Sequence, residues 1–231
     1  MIDVFERLAP AYSRIVRKFA IDVWYDREDV NAFLQRAEFF RRRYAHELTD
    51  FFKKQKYAFN PKRIRELSSL WLADQVTTSR KIRTIADLKK GRLSEELAEM
   101  DELKKAEVLS LLDGAGQPEG KIVPVVSFSR NLAARAEQIG EDEAFSLGRE
   151  INHDVVSVMS DVYFWRSQKD RRVRYTHRKL ADKRFSYNSP PTTVDRYGHR
   201  HTGNPGTDWG CRCFEEPGTG RPLLNYIVVE P

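Results

Sequence analysis

A chain of 231 residues is long enough to bury a real core, as one large domain or two small ones. Charged residues make up 32% of it, and no run approaches the ~18 apolar residues of a bilayer-crossing helix, so no membrane partner is expected. The net charge of +6 is distributed in blocks: +9 over residues 1–92, −7 over 93–150 and +4 over 151–231. Such alternation suits surfaces with different partners, nucleic acid or an acidic protein for one and a basic protein for another, as well as plain solvated helix faces.

The N-terminus has no apolar core or small-residue cleavage site of a signal peptide, so the protein is expected to be made in a cytoplasm. Val4, Leu8, Ala11, Ile15, Phe19 and Val23 mark a first helix, with Pro10 expected to kink or split it. A second helix is predicted from about Asp29 to Tyr57, on the recurrence of Val30, Phe33, Leu34, Ala37, Phe40, Tyr44, Leu48, Phe51 and Phe52. Its polar side carries Arg41, Arg42, Arg43, Lys53, Lys54 and Lys56, a basic ridge suited to non-specific contact with a phosphate backbone or an acidic partner. The aromatics interleaved with that ridge (Phe39, Phe40, Tyr44, Phe51) read mainly as core rather than base-stacking residues. Pro61 can open a third helix. Ser94, followed by Glu95 and Glu96, reads as the N-cap of a fourth, running to about Leu112.

The glycine- and proline-rich GAGQPEGK segment then marks a boundary between a helical basic N-terminal region, 1–113, and a C-terminal module, 120–231. Ile122–Phe128 is a strand candidate, Asn131–Ile139 and Asp142–Val158 read as two helices, the second extending towards Phe164, and Val173–Thr176 and Ile227–Val229 are further strand candidates. The run from Pro190 to Gly210 reads as a long loop. Asp142, Glu143 and Glu150 share a helix face and are candidates to meet Arg172 or Arg174. The predicted fold class is mainly α with a small α+β C-terminal module, a helical region followed by a compact Cys/His-containing domain.

The residues able to do chemistry gather between Phe164 and Pro217. Both cysteines, Cys211 and Cys213, lie there, with three of the five histidines, His177, His199 and His201. A one-residue spacing in a reducing compartment favours thiols or metal ligands over a disulfide. Three readings follow. The five residues supply ligand types for a structural zinc, although Cys-x-Cys is tighter than the usual ligand spacing. A hydrolytic site would use His177 as general base with Asp170, His199 and Arg174. In the third reading Asp170 and Arg171–Arg174 pair internally, Trp165, Trp209 and Phe185 form a small core, and the cysteines are packing residues.

Trp165, Asp170, Arg172, Val173, Arg174 and His177, followed by Leu180, Phe185, Pro205-Gly206, Cys211-Arg212-Cys213 and Pro217, resemble in order and approximate spacing the C-terminal module of phage Mu F-like minor head proteins, the head-morphogenesis family of tailed phages. The resemblance covers roughly 132–217. Where the family has an acidic or amide residue and then glycine after the leucine, Ala181-Asp182 stands; before the cysteines Trp209-Gly210 replaces an expected asparagine. The resemblance implies a non-enzymatic minor head protein of a tailed phage or prophage, located in the virion at the capsid interior or portal vertex. Its implied partners are the portal and other capsid or scaffold proteins, with non-specific contact to packaged DNA. Other readings are a phage-encoded nuclease or toxin-like enzyme acting through His177, and a DNA-binding packaging factor without a capsid role. No cofactor is fixed by the sequence, zinc being the candidate.

Overall fold

The computed structural model describes residues 2–98, 124–208 and 210–231. Among these residues four long helices come first: α1 (Ile2–Trp24), α2 (Val30–Lys54), α3 (Pro61–Ala98) and α4 (Pro124–Met159). A small module follows, in the order β1 (Val162–Ser167), α5 (Tyr175–Leu180), β2 (Arg184–Ser186), β3 (Thr192–Val194), β4 (Arg200–Thr202), β5 (Cys213–Pro217) and β6 (Ile227–Val229). The mainly α fold with a C-terminal α+β module is therefore observed.

The starts of the helices follow local chemistry. Asp29 Oδ1 accepts the Ala32 N–H at 2.9 Å, and Asn60 Oδ1 accepts the Lys62 N–H at 2.9 Å, each satisfying a donor that a first turn leaves open. Pro61 and Pro124 sit at first helical positions, where a missing N–H breaks no bond. Four expectations are corrected here. Pro10 does not split α1; it is exposed, and the helix runs through it. Ser94 is not an N-cap but lies inside α3, its hydroxyl donating to the Lys90 carbonyl at 3.0 Å. Residues 124–128 begin a helix rather than forming a strand. The two helices expected on either side of Gly140 are one, because a Cβ there would sit 2.7 Å from the Ser13 Cα, so Gly140 serves close helix packing rather than a break. The predicted helix end near Leu112 and the 113–120 boundary lie outside the described residues.

The chain divides into two compact units, one of residues 1–9, 41–71 and 142–231, the other of 10–40 and 72–141. The regular elements of the second unit are all helices where described. Its core holds Tyr12, Val16, Phe19, Phe33, Phe40, Ile82, Leu132 and Ile139, with Phe19 stacked on Phe33 at 4.5 Å and Tyr12 against Phe40 at 4.7 Å. Within it the Tyr12 hydroxyl donates to the buried Gln75 side-chain oxygen. Phe39, read from sequence with the apolar face, is 73% exposed.

In the first unit, Tyr44, Leu48, Phe52, Ile64, Trp71, Phe145, Leu147 and Ile151 are buried, and the Trp71 indole donates to the Glu143 carbonyl at 2.9 Å. The module has two three-stranded sheets, β2-β1-β5 and β4-β3-β6. The central β1 pairs antiparallel on both sides, placing Ser167 opposite Cys213 and Tyr163 opposite Phe185. β1 replaces the expected extension of α4: Tyr163, Trp165 and Ser167 are buried while their neighbours are half-buried, the period-two signature of a strand. Val173–Thr176 is not a strand. Asp170 Oδ1 accepts the N–H groups of Arg172 at 2.9 Å and Val173 at 3.1 Å, and this side-chain turn leads into α5. After α5 the chain turns without glycine, Asp182 taking φ of 64°, a conformation aspartate tolerates. The expected long loop instead contains the β3–β4 hairpin, and β6 completes that sheet in parallel with β3.

Candidate metal centre

Cys211 and Cys213 flank Arg212 where the chain enters β5, and residues two apart on extended backbone face the same side. Both face His177 on α5. His177 Nδ1 lies 3.4 Å from Cys211 Sγ and 3.8 Å from Cys213 Sγ. The three ligand atoms fall within 4.8 Å of one another, and all three residues are buried. A tetrahedral zinc with bonds of about 2.3 Å to sulfur and about 2.0 Å to nitrogen separates sulfur from nitrogen by ~3.6 Å. The observed sulfur–nitrogen distances fit, and the three side chains would fill three of the four positions.

The surrounding shell holds these atoms in place. Asp208 Oδ2 sits 3.5 Å from His177 Nε2, so the ring turns Nδ1 to the sulfurs and Nε2 to a carboxylate, the arrangement in which a second-shell acid orients a metal-binding imidazole. Arg174 pairs with Asp208, and Arg149 of α4 donates to the Cys211 carbonyl. The Gly206 N–H points at Cys211 Sγ from 3.4 Å. Trp165 packs edge-on to His177, ring centroids 5.4 Å apart. Its indole N–H makes no well-formed hydrogen bond among the described residues, yet lies close enough to Cys213 to favour the thiolate. Arg212 points the other way: its Nε donates to Asp170 Oδ2 at 2.7 Å and its Nη2 to Gln168 at 2.7 Å, locking the turn before α5.

These contacts divide the charge unequally. Burial opposes a charge on His177, but Asp208 and Cys211 outweigh it and bring its pKa up to about 9. A hydrogen bond from Cys213, against the cost of burial and with help from His177 and Arg149, holds the Cys211 thiol well below its usual value. Cys213, donating that bond and buried, is pushed up. A stabilised thiolate beside a second thiol and an oriented imidazole is a donor set for a borderline-soft metal.

His199 and His201 have other partners in the β3–β4 hairpin. His199 is exposed, with Nδ1 2.9 Å from Asp195 Oδ2, and His201 Nε2 lies 3.1 Å from Thr207 Oγ1. Trp209 is outside the described residues; Trp165 and Phe185 do meet, at 6.2 Å and nearly perpendicular. Glu150 accepts from Ser146 one turn away. On α2, Arg41 donates to Ser68 at 3.0 Å, Arg43 pairs with Glu47 at 2.9 Å and Lys53 approaches Asp50 at 4.0 Å, while Arg42 and Lys54 are exposed, as is Lys56 in the turn after the helix.

Sequence reasoning missed a second buried cluster. Glu215 of β5 is buried, accepts the Tyr187 hydroxyl at 2.8 Å, and has His153 Nδ1 2.8 Å from its Oε1 and 3.0 Å from its Oε2. The signal was available: Cys213 and Glu215 stand two residues apart on β5, so a carboxylate shares a strand face with a cysteine.

No protein-family model matches the chain, and neither a curated protein nor a solved structure does.

Proposed function

We propose that this chain is a non-enzymatic minor head protein of a tailed phage or prophage, acting at the portal vertex or capsid interior, with a C-terminal module knit by zinc on His177, Cys211 and Cys213. The observation that carries the reading is the convergence of the residues bearing the family resemblance. Trp165, Val173, His177, Cys211 and Cys213 are buried together. Asp170 and Arg212 lock the adjoining turn, and Arg174 holds the carboxylate behind the histidine. Every one of those contacts builds the module rather than presenting a group to a substrate. His177 supports this further: it is buried, with sulfur at one ring nitrogen and Asp208 at the other, a poor position for a general base acting on a nucleic acid.

Zinc here would supply fold stability rather than chemistry, replacing apolar burial that so small a module cannot provide. The exposed cations of α2 suit non-specific contact with packaged DNA, reduced by the acidic partners of Arg43 and Lys53.

Elemental analysis of untagged protein tests the metal, with one zinc per chain expected and its loss in a Cys211→Ser/Cys213→Ser variant. Immunodetection in purified virions tests the location, and the chain is expected to remain with heads after tails are removed. Incubation with plasmid and RNA, with and without divalent metal, tests the enzyme reading; turnover abolished by His177→Ala would overturn the proposal. Neutralising Arg42, Lys54 and Lys56 should flatten the salt dependence of DNA binding, and an unchanged slope would remove DNA from the partners.

A further inference from the structure

A cleft of about 210 Å³ opens in the first unit between one face of α4 and the segment Asn204–Thr207. The α4 wall carries Ser146, Arg149, Glu150 and His153. Arg149 and His153 stand four residues apart, hence on one helical face. The buried Glu215 binds His153 through Nδ1, which turns Nε2 away from the core; His153 is half-exposed, and Nε2 has no partner among the described residues. That hydrogen bond, against partial burial, raises the His153 pKa above its ordinary value and favours a cationic ring. Arg149 gives one N–H to the Cys211 carbonyl, leaving other donors of its five. Gly206, at φ of 95°, makes room for it: a Cβ there would lie 2.7 Å from the Arg149 Cδ.

The neutral groups of the opposite wall are biased the same way. Asn204 Oδ1 accepts the Tyr163 hydroxyl at 2.9 Å, so its amide NH₂ is the side that lacks a partner among the described residues. Thr207 Oγ1 is engaged by His201 and by the Asn204 carbonyl. The cleft therefore offers a guanidinium and an amide as donors, with the His153 ring as a third when it is protonated. Glu150, exposed and accepting from Ser146 at 3.2 Å, is the opposing charge. Three separate donor groups match the three terminal oxygens of a phosphate better than the two of a carboxylate. Its volume, roughly that of seven waters, holds a phosphate with a small organic substituent.

We propose that this cleft binds a phosphate group, as inorganic phosphate or as the terminal group of a small phosphomonoester, through Arg149, His153 and Asn204. Arg149 and Gly206 join the cleft to the candidate metal centre, but none of the cleft's donors is one of the metal-ligating side chains. The test is an NMR titration of the full chain at constant ionic strength with inorganic phosphate, glycerol 1-phosphate and acetate. The reporter is the His153 ring, with the exposed His46 ring on α2 as internal control. Saturable movement of His153 alone is expected with the phosphates, and a tighter monoester would identify the terminal group of a larger molecule as the source. His153→Gln should weaken binding about tenfold, the loss of one charge-assisted hydrogen bond. Glu150→Gln should tighten it roughly threefold by removing the like charge. Glu150 lies outside the buried Glu215 cluster, so this variant decides the matter even where His153→Gln disturbs folding. Equal movement of His153 and His46, acetate binding as tightly as phosphate, or unchanged affinity in Glu150→Gln would overturn the proposal.

Discussion

The helical unit of residues 10–40 and 72–141 and the strand-bearing module that ends the other unit reach order by different means. The first interleaves aromatic and aliphatic side chains from long helices, as where Phe19 stacks on Phe33 at 4.5 Å. The second has short strands, three of them only three residues long on one sheet, and sets two thiols, a histidine and a buried glutamate among Tyr163, Trp165, Leu180 and Phe185. Helices long enough to carry a continuous apolar stripe need little else. Strands this short bury too little area, so specific polar and sulfur contacts take over, and these fail abruptly when one partner is removed.

The sharpest way to break the contrast is to remove the proposed ion. Chelation, or Cys211→Ser with Cys213→Ser, should unfold the module with a loss on the order of 10 kcal/mol, the scale of structural zinc in small domains, while far-UV helical signal largely persists. Circular dichroism alongside NMR of the strand amides reads both parts. Loss of the two signals together would erase the distinction. The converse change is Phe33→Ala, which should cost about 3–5 kcal/mol in chemical denaturation and leave metal stoichiometry at the wild-type value. A smaller effect is expected for Tyr12→Phe. It takes the donor from the buried Gln75 oxygen and should destabilise by about 1–2 kcal/mol, showing that even the helical core contains a polar contact that matters.

The smallest effect concerns pH. The Glu215 hydrogen bond, opposed by partial burial, raises the folded-state pKa of His153. Its contribution is fully present below the unfolded value of about 6.5 and is lost as pH rises through the raised folded value. Stability should therefore decline slightly above pH 6.5, by less than about 1 kcal/mol because the ring is half-exposed, and His153→Gln should abolish that component.

The same division governs what could be read from sequence. Three-to-four-residue spacing announced α1 and α2, and Asn60-Pro61 announced the start of α3, because those signals are local. The two helices expected at 131–139 and 142–158 join at Gly140, whose role, the close approach of Ser13, lies far away in the chain. Val173 looked like a strand residue because the Asp170 side chain, not β-propensity, decides its backbone. At the candidate metal centre, residue types singled out His177, Cys211 and Cys213, but also His199 and His201, since sequence cannot say which histidines a hairpin carries elsewhere. Asp208 and Arg149 were invisible as supporting groups, being ordinary charged residues until the fold brings them to the sulfurs.

The register of β1 has a kinetic consequence. β1 meets β2 after a short excursion, but its pairing with β5 joins residues about fifty positions apart, a slow closure compared with forming helical hairpins. The last pair of that ladder, Ser167 with Cys213, delivers a thiol to His177. On the proposed metal site, zipping the sheet and capturing the ion are one event. Refolding of the module should then speed up as free zinc rises, while the helical bursts that precede it keep their own pace.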